Sequence, residues 1–246
     1  MTKSKGGKFW NASCNPIVVT NCKCEVPNCW AMSMYHRFKD NYPKPDKDGI
    51  IWRPEQLDKI RSSGKARVWA MCWMGDVSKS SDNNRYLLDV FHYCDMVNEM
   101  RKFRKLPMHT FLFLTKFPDL CWFRQDAGKG IFIGTTVTNN KTANERIPTL
   151  IDTMGGYYCD LWLCVEPLLG PLNLRSYLLD RDNCIKQVIV GCEAGPNARP
   201  TDSAYIRSVV RQCKEANVPV FVKQVTPKSR LLDGRTYDEL VWNITT

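Results

Sequence analysis

Three cysteines, Cys22, Cys24 and Cys29, stand within eight residues of one another in the stretch NPIVVTNCKCEVPNCWAMSMYHRF, residues 15–38. A short apolar strand, Ile17 to Thr20, feeds them, and a helix opening at Trp30 closes them. Thiolates gathered in one loop can wrap their sulfurs around a single point, which is what a soft metal ion or an iron–sulfur cluster requires. The expectation is a [4Fe–4S] cluster with three cysteine ligands and one open iron. Structural zinc takes four closed ligands, often as two C-x-x-C pairs, and no second pair occurs in this chain. Cys14 precedes the strand, and extended residues advancing about 3.3 Å each should carry it toward the opposite end. Two alternatives stay open: a zinc site, and ordinary packed thiols, since free cysteine is among the most buried residue types.

Such a loop needs a scaffold, and apolar runs followed by polar residues supply one. Val68 to Met74 ends in Gly75-Asp76, and His109 to Leu114 ends in Thr115-Lys116. Ile131 to Val137 ends in Thr138-Asn139, and Leu161 to Val165 ends in Glu166. Val188 to Val190 ends in Gly191-Cys192-Glu193, and Val218 to Val222 ends in Lys223-Gln224. Helical patterns separate several of them, at Asn84 to Arg104 (apolar at Leu88, Phe91, Val97 and Met100), Thr142 to Met154 and Ser203 to Ala216. Alternating strands and helices pair in parallel through right-handed crossovers. Counting Ile17 to Thr20 as the first, six to seven parallel strands predict an α/β fold, a partial (β/α) barrel spanning residues 1–246 as a single domain. Asp40 to Pro54, rich in Pro, Asp and Lys, reads as a long loop able to cover the mouth. Residues 1–9 form a basic arm and 225–246 a C-terminal extension.

Barrels of this kind place their chemistry at the carboxyl ends of the strands, where the polar residues recur. Glu166 and Glu193 each follow a buried strand directly, so either can position a substrate amine or move a proton. The alternative for both is an ion pair with Arg175, Arg199 or Lys223 that braces the mouth. Arg199, after a Gly-Pro-Asn turn, fits a phosphate anchor, and Lys223 a second cation for the substrate. Asp76 can accept from an amine while Gly75 permits close approach, or Asp76 can instead cap the next helix. His36, His92 and His109 form no ligand pair and read as structural, whereas Trp69, Trp73 and Trp162 read as core and Trp122 as either core or site.

Composition bounds the partners. At 246 residues, 43% hydrophobic and 24% charged, the chain has the makings of a globular core. Twelve cysteines at scattered spacings point to a reducing compartment, and Cys72, Cys164 and Cys192 sit inside apolar runs as packing residues. No run approaches the ~20 apolar residues of a membrane span, and MTKSKGGK lacks a signal core, so a cytoplasmic protein is expected. A net charge of +10 favours a polyanion, most economically nucleic acid, against the alternative of a charge spread evenly for solubility. Lys3, Lys5 and Lys8 can track phosphates without reading bases.

The spacing C-x-C-x4-C has the same first-to-last separation as the C-x3-C-x2-C of radical S-adenosylmethionine enzymes, with the middle cysteine displaced. The wider sequence resembles phage-encoded three-cysteine-motif proteins of unassigned function that look like small radical S-adenosylmethionine enzymes. In that group a W-N-P stretch precedes the cysteines and C-Y-A opens a helix. Here Asn15-Pro16, Thr20-Asn21-Cys22 and Cys29-Trp30-Ala31 correspond. The match continues through Leu114-Thr115-Lys116, Arg146-Ile147-Pro148, Glu166-Pro167-Leu168-Leu169-Gly170, Val190 to Pro196 with Arg199-Pro200, Lys223-Gln224, and Leu232-Asp233-Gly234-Arg235.

That resemblance implies a [4Fe–4S] cluster on Cys22, Cys24 and Cys29 and S-adenosyl-L-methionine as cosubstrate. A reductant protein would supply electrons, and a 5′-deoxyadenosyl radical would abstract hydrogen from the substrate. By the same resemblance Gly75 and Asp76 take the methionyl amine and Lys116 the methionyl carboxylate or a substrate phosphate. Thr115, Thr136 and Thr138 take ribose hydroxyls, and Trp30 packs beside the cluster or contacts adenine. The substrate it implies is a nucleobase, or an amino-acid group attached to one, with thymidine hypermodification in phage DNA foremost and an isomerase consistent with it. The alternatives are the same chemistry on RNA or a free modified nucleotide, and a nucleic-acid-binding module with a structural cluster or zinc.

Overall fold

The first parallel strand is only three residues long, β1 (Ala12–Cys14), and β2 (Ile17–Val19) follows it almost at once. Next come α1 (Trp30–Arg37), β3 (Ile50–Trp52), a short α2 (Asp58–Arg61), β4 (Val68–Met71) and the long α3 (Asn84–Phe103). The chain continues with β5 (Thr110–Thr115), β6 (Ile131–Thr136), α4 (Asn140–Met154), β7 (Asp160–Val165) and α5 (Arg175–Leu178). It ends with β8 (Ile185–Gly191), α6 (Ser203–Glu215) and β9 (Val220–Gln224). This computed structural model describes residues 7–21, 29–76, 84–120, 128–154, 160–179, 185–195 and 197–242.

Seven strands form one sheet in the order β1-β4-β5-β6-β7-β8-β9. Every neighbouring pair is parallel. The sheet curls into a half-barrel, and the chain before β1 shows how far. Gly7 N donates to Lys223 O of β9, while Asn11 N donates to Val68 O beside β1. The five steps from Gly7 to Ala12 reach at most ~18 Å, so the two edge strands are drawn toward each other.

Side-chain alternation sorts the core into two layers. Outward residues of the sheet meet the helices; Phe113 of β5, for example, stacks on Phe91 of α3 at 4.2 Å between ring centroids. Inward residues form a second cluster of Val68, Leu112, Phe132, Trp162, Cys164, Ile189 and Phe221, filled from below by Phe9 and Trp242. Gly134 of β6 makes this filling possible. A Cβ there would lie 2.5 Å from the Trp162 indole, whose Nε1 crosses to donate to Phe113 O at 3.0 Å.

Three expectations are corrected. Ile17 to Thr20 is not the first barrel strand: β2 pairs antiparallel with β3, Val19 opposite Ile50, in a separate two-stranded ribbon. That partner lies inside Asp40 to Pro54, so the expected loop contains a buried strand. The first parallel strand is β1, and its last residue, Cys14, sits opposite Met71 at the carboxyl end of β4. Cys14 is therefore not carried to the far end of the sheet. After β1 the chain passes into β2, which meets the exit of β4 and pairs with β3 instead of joining the parallel sheet.

The segments at the two ends of the described chain close the lower interior. Phe9 is 1% exposed, so the basic arm cannot extend through it. Beyond β9 the chain folds back, with Val222 N donating to Tyr237 O and Gln187 accepting from Val241 N and donating to Glu239 O. Trp242 Nε1 then donates to Phe9 O at 2.8 Å. Among the described residues no helix is long and apolar enough to cross a membrane.

Candidate active site at the carboxyl-end rim

The exit of β4 is the seat of the cysteine loop. Val19 N donates to Met74 O at 2.9 Å, and Met74 N donates to Asn15 Oδ1 at 3.2 Å. Gly75 has φ +103, and a Cβ on it would lie 2.6 Å from Val19 O. Its lack of a side chain thus serves the close approach of β2. From β2 the chain passes Thr20, whose hydroxyl donates to Gly49 O, and Asn21, whose amide donates to Asp48 O.

Cys22 and Cys24 lie outside the described residues. Cys29 is described: it immediately precedes α1 and packs against the cluster of Val18, Ala31, Ile51 and Met74. Both flanks of the three-thiol loop therefore rest on the exit of β4. Trp30 opens α1 and is 57% exposed.

Of the described cysteines only Cys29 is not buried. Burial pushes the thiols of Cys14, Cys164 and Cys213 up to about 12. These thiols lie within the apolar core clusters and serve as packing groups; Cys14 Sγ also donates to Gln56 O. Among the described residues no three His, Cys, Asp or Glu side chains gather as a metal site.

Asp76 ties the exit of β4 to that of β5. Its carboxylate accepts from Thr115 Oγ1 at 2.7 Å and from Lys116 N at 2.6 Å. The Thr115 hydroxyl is thus committed to the rim's framework, and it also accepts from Phe117 N. At the exit of β6, Thr136 is buried and its carbonyl accepts from Arg146 at 2.7 Å. Thr138 belongs to the start of α4: its N–H donates to Thr142 Oγ1, while Thr142 N donates to Asn139 Oδ1, a cap that satisfies an otherwise orphaned amide.

Glu166 and Lys223 meet at 2.5 Å, their side chains 16% and 22% exposed. Burial alone would lower the Lys223 ammonium, but the Glu166 carboxylate outweighs it and holds Lys223 above its ordinary value. Leu168 N donates to Gly191 O and Leu169 N to Thr138 O, so the loop after β7 clasps the exits of β8 and β6. Glu193 takes a bidentate pair from Arg199, at 2.8 and 2.7 Å, and accepts from Arg199 N at 2.7 Å. These bonds hold its carboxyl down at about 2. At neutral pH Glu193 is a fixed anion, suited to positioning rather than to proton transfer.

Thus Cys29, Gly75, Asp76, Thr115, Lys116, Thr136, Thr138, Glu166, Glu193, Arg199 and Lys223 share one rim, because each stands at, or is held to, the carboxyl end of a strand in one parallel sheet. Arg146 belongs there too, yet the strand-exit pattern misses it. It comes from α4, ten residues beyond the carbonyl it holds, and only its place in Arg146-Ile147-Pro148 marked it.

No curated protein and no solved structure matches the chain. The sequence does match one family profile over residues 8–244, from the segment that pins the sheet's edges to the one that closes its lower interior. The chain therefore belongs to the family described as protein of unknown function (DUF5131).

Proposed function

We propose that the chain is a radical S-adenosylmethionine enzyme that modifies a nucleobase, or an amino-acid group carried on one, with DNA thymidine as the foremost substrate. Cys22, Cys24 and Cys29 are its ligands to a [4Fe–4S] cluster. The observation that carries this is the seating of both flanks of the three-thiol loop on the exit of β4, at the rim where the polar strand-exit residues converge. The donor set fits such a cluster: soft thiols in one loop, with Cys29 only partly buried where the other described thiols are buried.

When bound, the cluster and S-adenosylmethionine supply a 5′-deoxyadenosyl radical that takes a hydrogen atom from the substrate. The chain's own residues bind, orient and exclude. Asp76 is fixed by Thr115 and Lys116 N, and a carboxylate has further acceptor sites for an amine. Glu166 with Lys223 and Glu193 with Arg199 present two preset ion pairs to the polar parts of a substrate. Phe9, Trp162 and Trp242 close the interior from below, which keeps water from that side. The +10 charge, to which Lys3 and Lys5 contribute, favours a nucleic-acid substrate.

Anaerobic reconstitution with iron and sulfide, followed by S-adenosylmethionine and dithionite, tests this. The expected result is a brown protein that releases 5′-deoxyadenosine, and loss of both the colour and the product in Cys29→Ala. A brown wild-type protein that yields no 5′-deoxyadenosine would sink the enzyme reading, leaving a structural cluster.

A further inference from the structure

We infer that Arg146 and Lys116 form an oxyanion-binding site at the exits of β5 and β6, shaped for a carboxylate or a phosphate. The charges at the rim lead to it. Lys223 is matched by Glu166, and Arg199 by both oxygens of Glu193. Lys116 and Arg146 remain, and among the described residues neither has an ion pair.

Arg146 reaches back from α4 to Thr136 O. That contact engages one of five guanidinium N–H donors, and with a neutral acceptor. Half-burial lowers its pKa despite the fields of Asp76 and Glu145, so the cation sits where water solvates it poorly. Asp76 is the acid that acts on it most strongly, through its field and not through an ion pair.

Register places the second cation. Thr115 pairs with Thr135, so Lys116 stands beside Thr136, whose carbonyl holds Arg146. The Lys116 backbone is tied to Asp76, and its ammonium acts on Cys164, as do the Lys223 ammonium and, in the opposite sense, the Glu166 carboxylate, on the inner side of the sheet. A planar fork and a point charge on adjacent strand exits, unneutralised and partly desolvated, suit an oxyanion that accepts two charge-assisted hydrogen bonds. The contact with Thr136 O leaves further guanidinium donors for such a ligand.

This deepens the proposed site but rests on its location alone and not on its reaction. Two sources share the chemistry: an amino-acid carboxylate, as in S-adenosylmethionine, and a nucleotide phosphate. Isothermal titration calorimetry without reductant separates them, comparing adenosine 5′-monophosphate with adenosine and S-adenosylhomocysteine with 5′-methylthioadenosine. In at least one pair the member that carries the oxyanion should bind about tenfold more tightly. Arg146→Gln should abolish that preference without weakening the uncharged member, and Arg146→Lys should restore part of it. The pair that responds identifies the oxyanion. If Arg146→Gln fails to fold, Lys116→Gln decides, since its bond to Asp76 is made by the backbone. No preference in either pair, including no binding by any of the four, overturns the inference, as does a preference that survives the deciding variant. Because no turnover is read, a protein that never cleaves S-adenosylmethionine can still pass, and an active enzyme can still fail.

Discussion

Glu166 and Lys223 show how one side-chain pair is both support and site. Each is mostly buried, and at 2.5 Å each is the other's remedy for desolvation. Removing one partner leaves a buried charge alone, whereas removing both leaves none. Lys223→Met should therefore cost about 3 kcal/mol in urea unfolding, Glu166→Gln somewhat less, and the double variant less than their sum, with a coupling of about 1–3 kcal/mol. Strict additivity would mean that the pair is not formed in solution. The two carboxylates were legible in the sequence because an acid directly after a buried strand has little else to explain it. Their partners were not, since Lys223 and Arg199 stood among three basic choices. Of these, Arg175 instead pairs with Glu215 at 2.9 Å.

At the scale of elements, the sequence reveals apolar runs but not their partners. Ile17–Val19 is as apolar as any barrel strand, yet it pairs with Ile50–Trp52, a strand hidden in a Pro- and Asp-rich stretch. Ala12–Cys14 is too short and too mixed to register as a strand, yet it forms the sheet's edge. Gly75 joins the two arrangements, because β2 approaches the exit of β4 only where there is no Cβ. Gly75→Ala meets a positive φ and the Val19 backbone at once, and backbone cannot swing aside as a flexible side chain can. It should cost at least about 2 kcal/mol in thermal or urea unfolding. Gly64→Ala, with nothing within 4 Å, should be near neutral. Equal effects at the two sites would show that β2 does not rest on Gly75 in solution.

The molecule as a whole is a curled sheet whose interior is filled from one end and polar at the other. Alternation of strand and helix made the parallel sheet and its polar rim legible. The filling was not, because Phe9 sits in what reads as a charged arm and Trp242 in a tail, and both are recruited over long sequence distances. Two variants at this end of the chain should therefore behave oppositely. Phe9→Ala empties a site packed against Trp10, Trp73, Trp162 and Phe221, and should cost about 3–5 kcal/mol. Deleting residues 2–6 removes Lys3 and Lys5 but leaves Phe9 and the Gly7 contact with Lys223, so stability should hold. What should change is the salt dependence of DNA binding. Each phosphate contact contributes about 0.9 to the slope of log affinity against log salt, so the deletion should flatten that slope by up to about two, whereas Phe9→Ala, measured where it is folded, should leave it unaltered. A deletion that leaves the slope intact would show that the arm touches no phosphate and that the charge acting on DNA lies elsewhere on the surface.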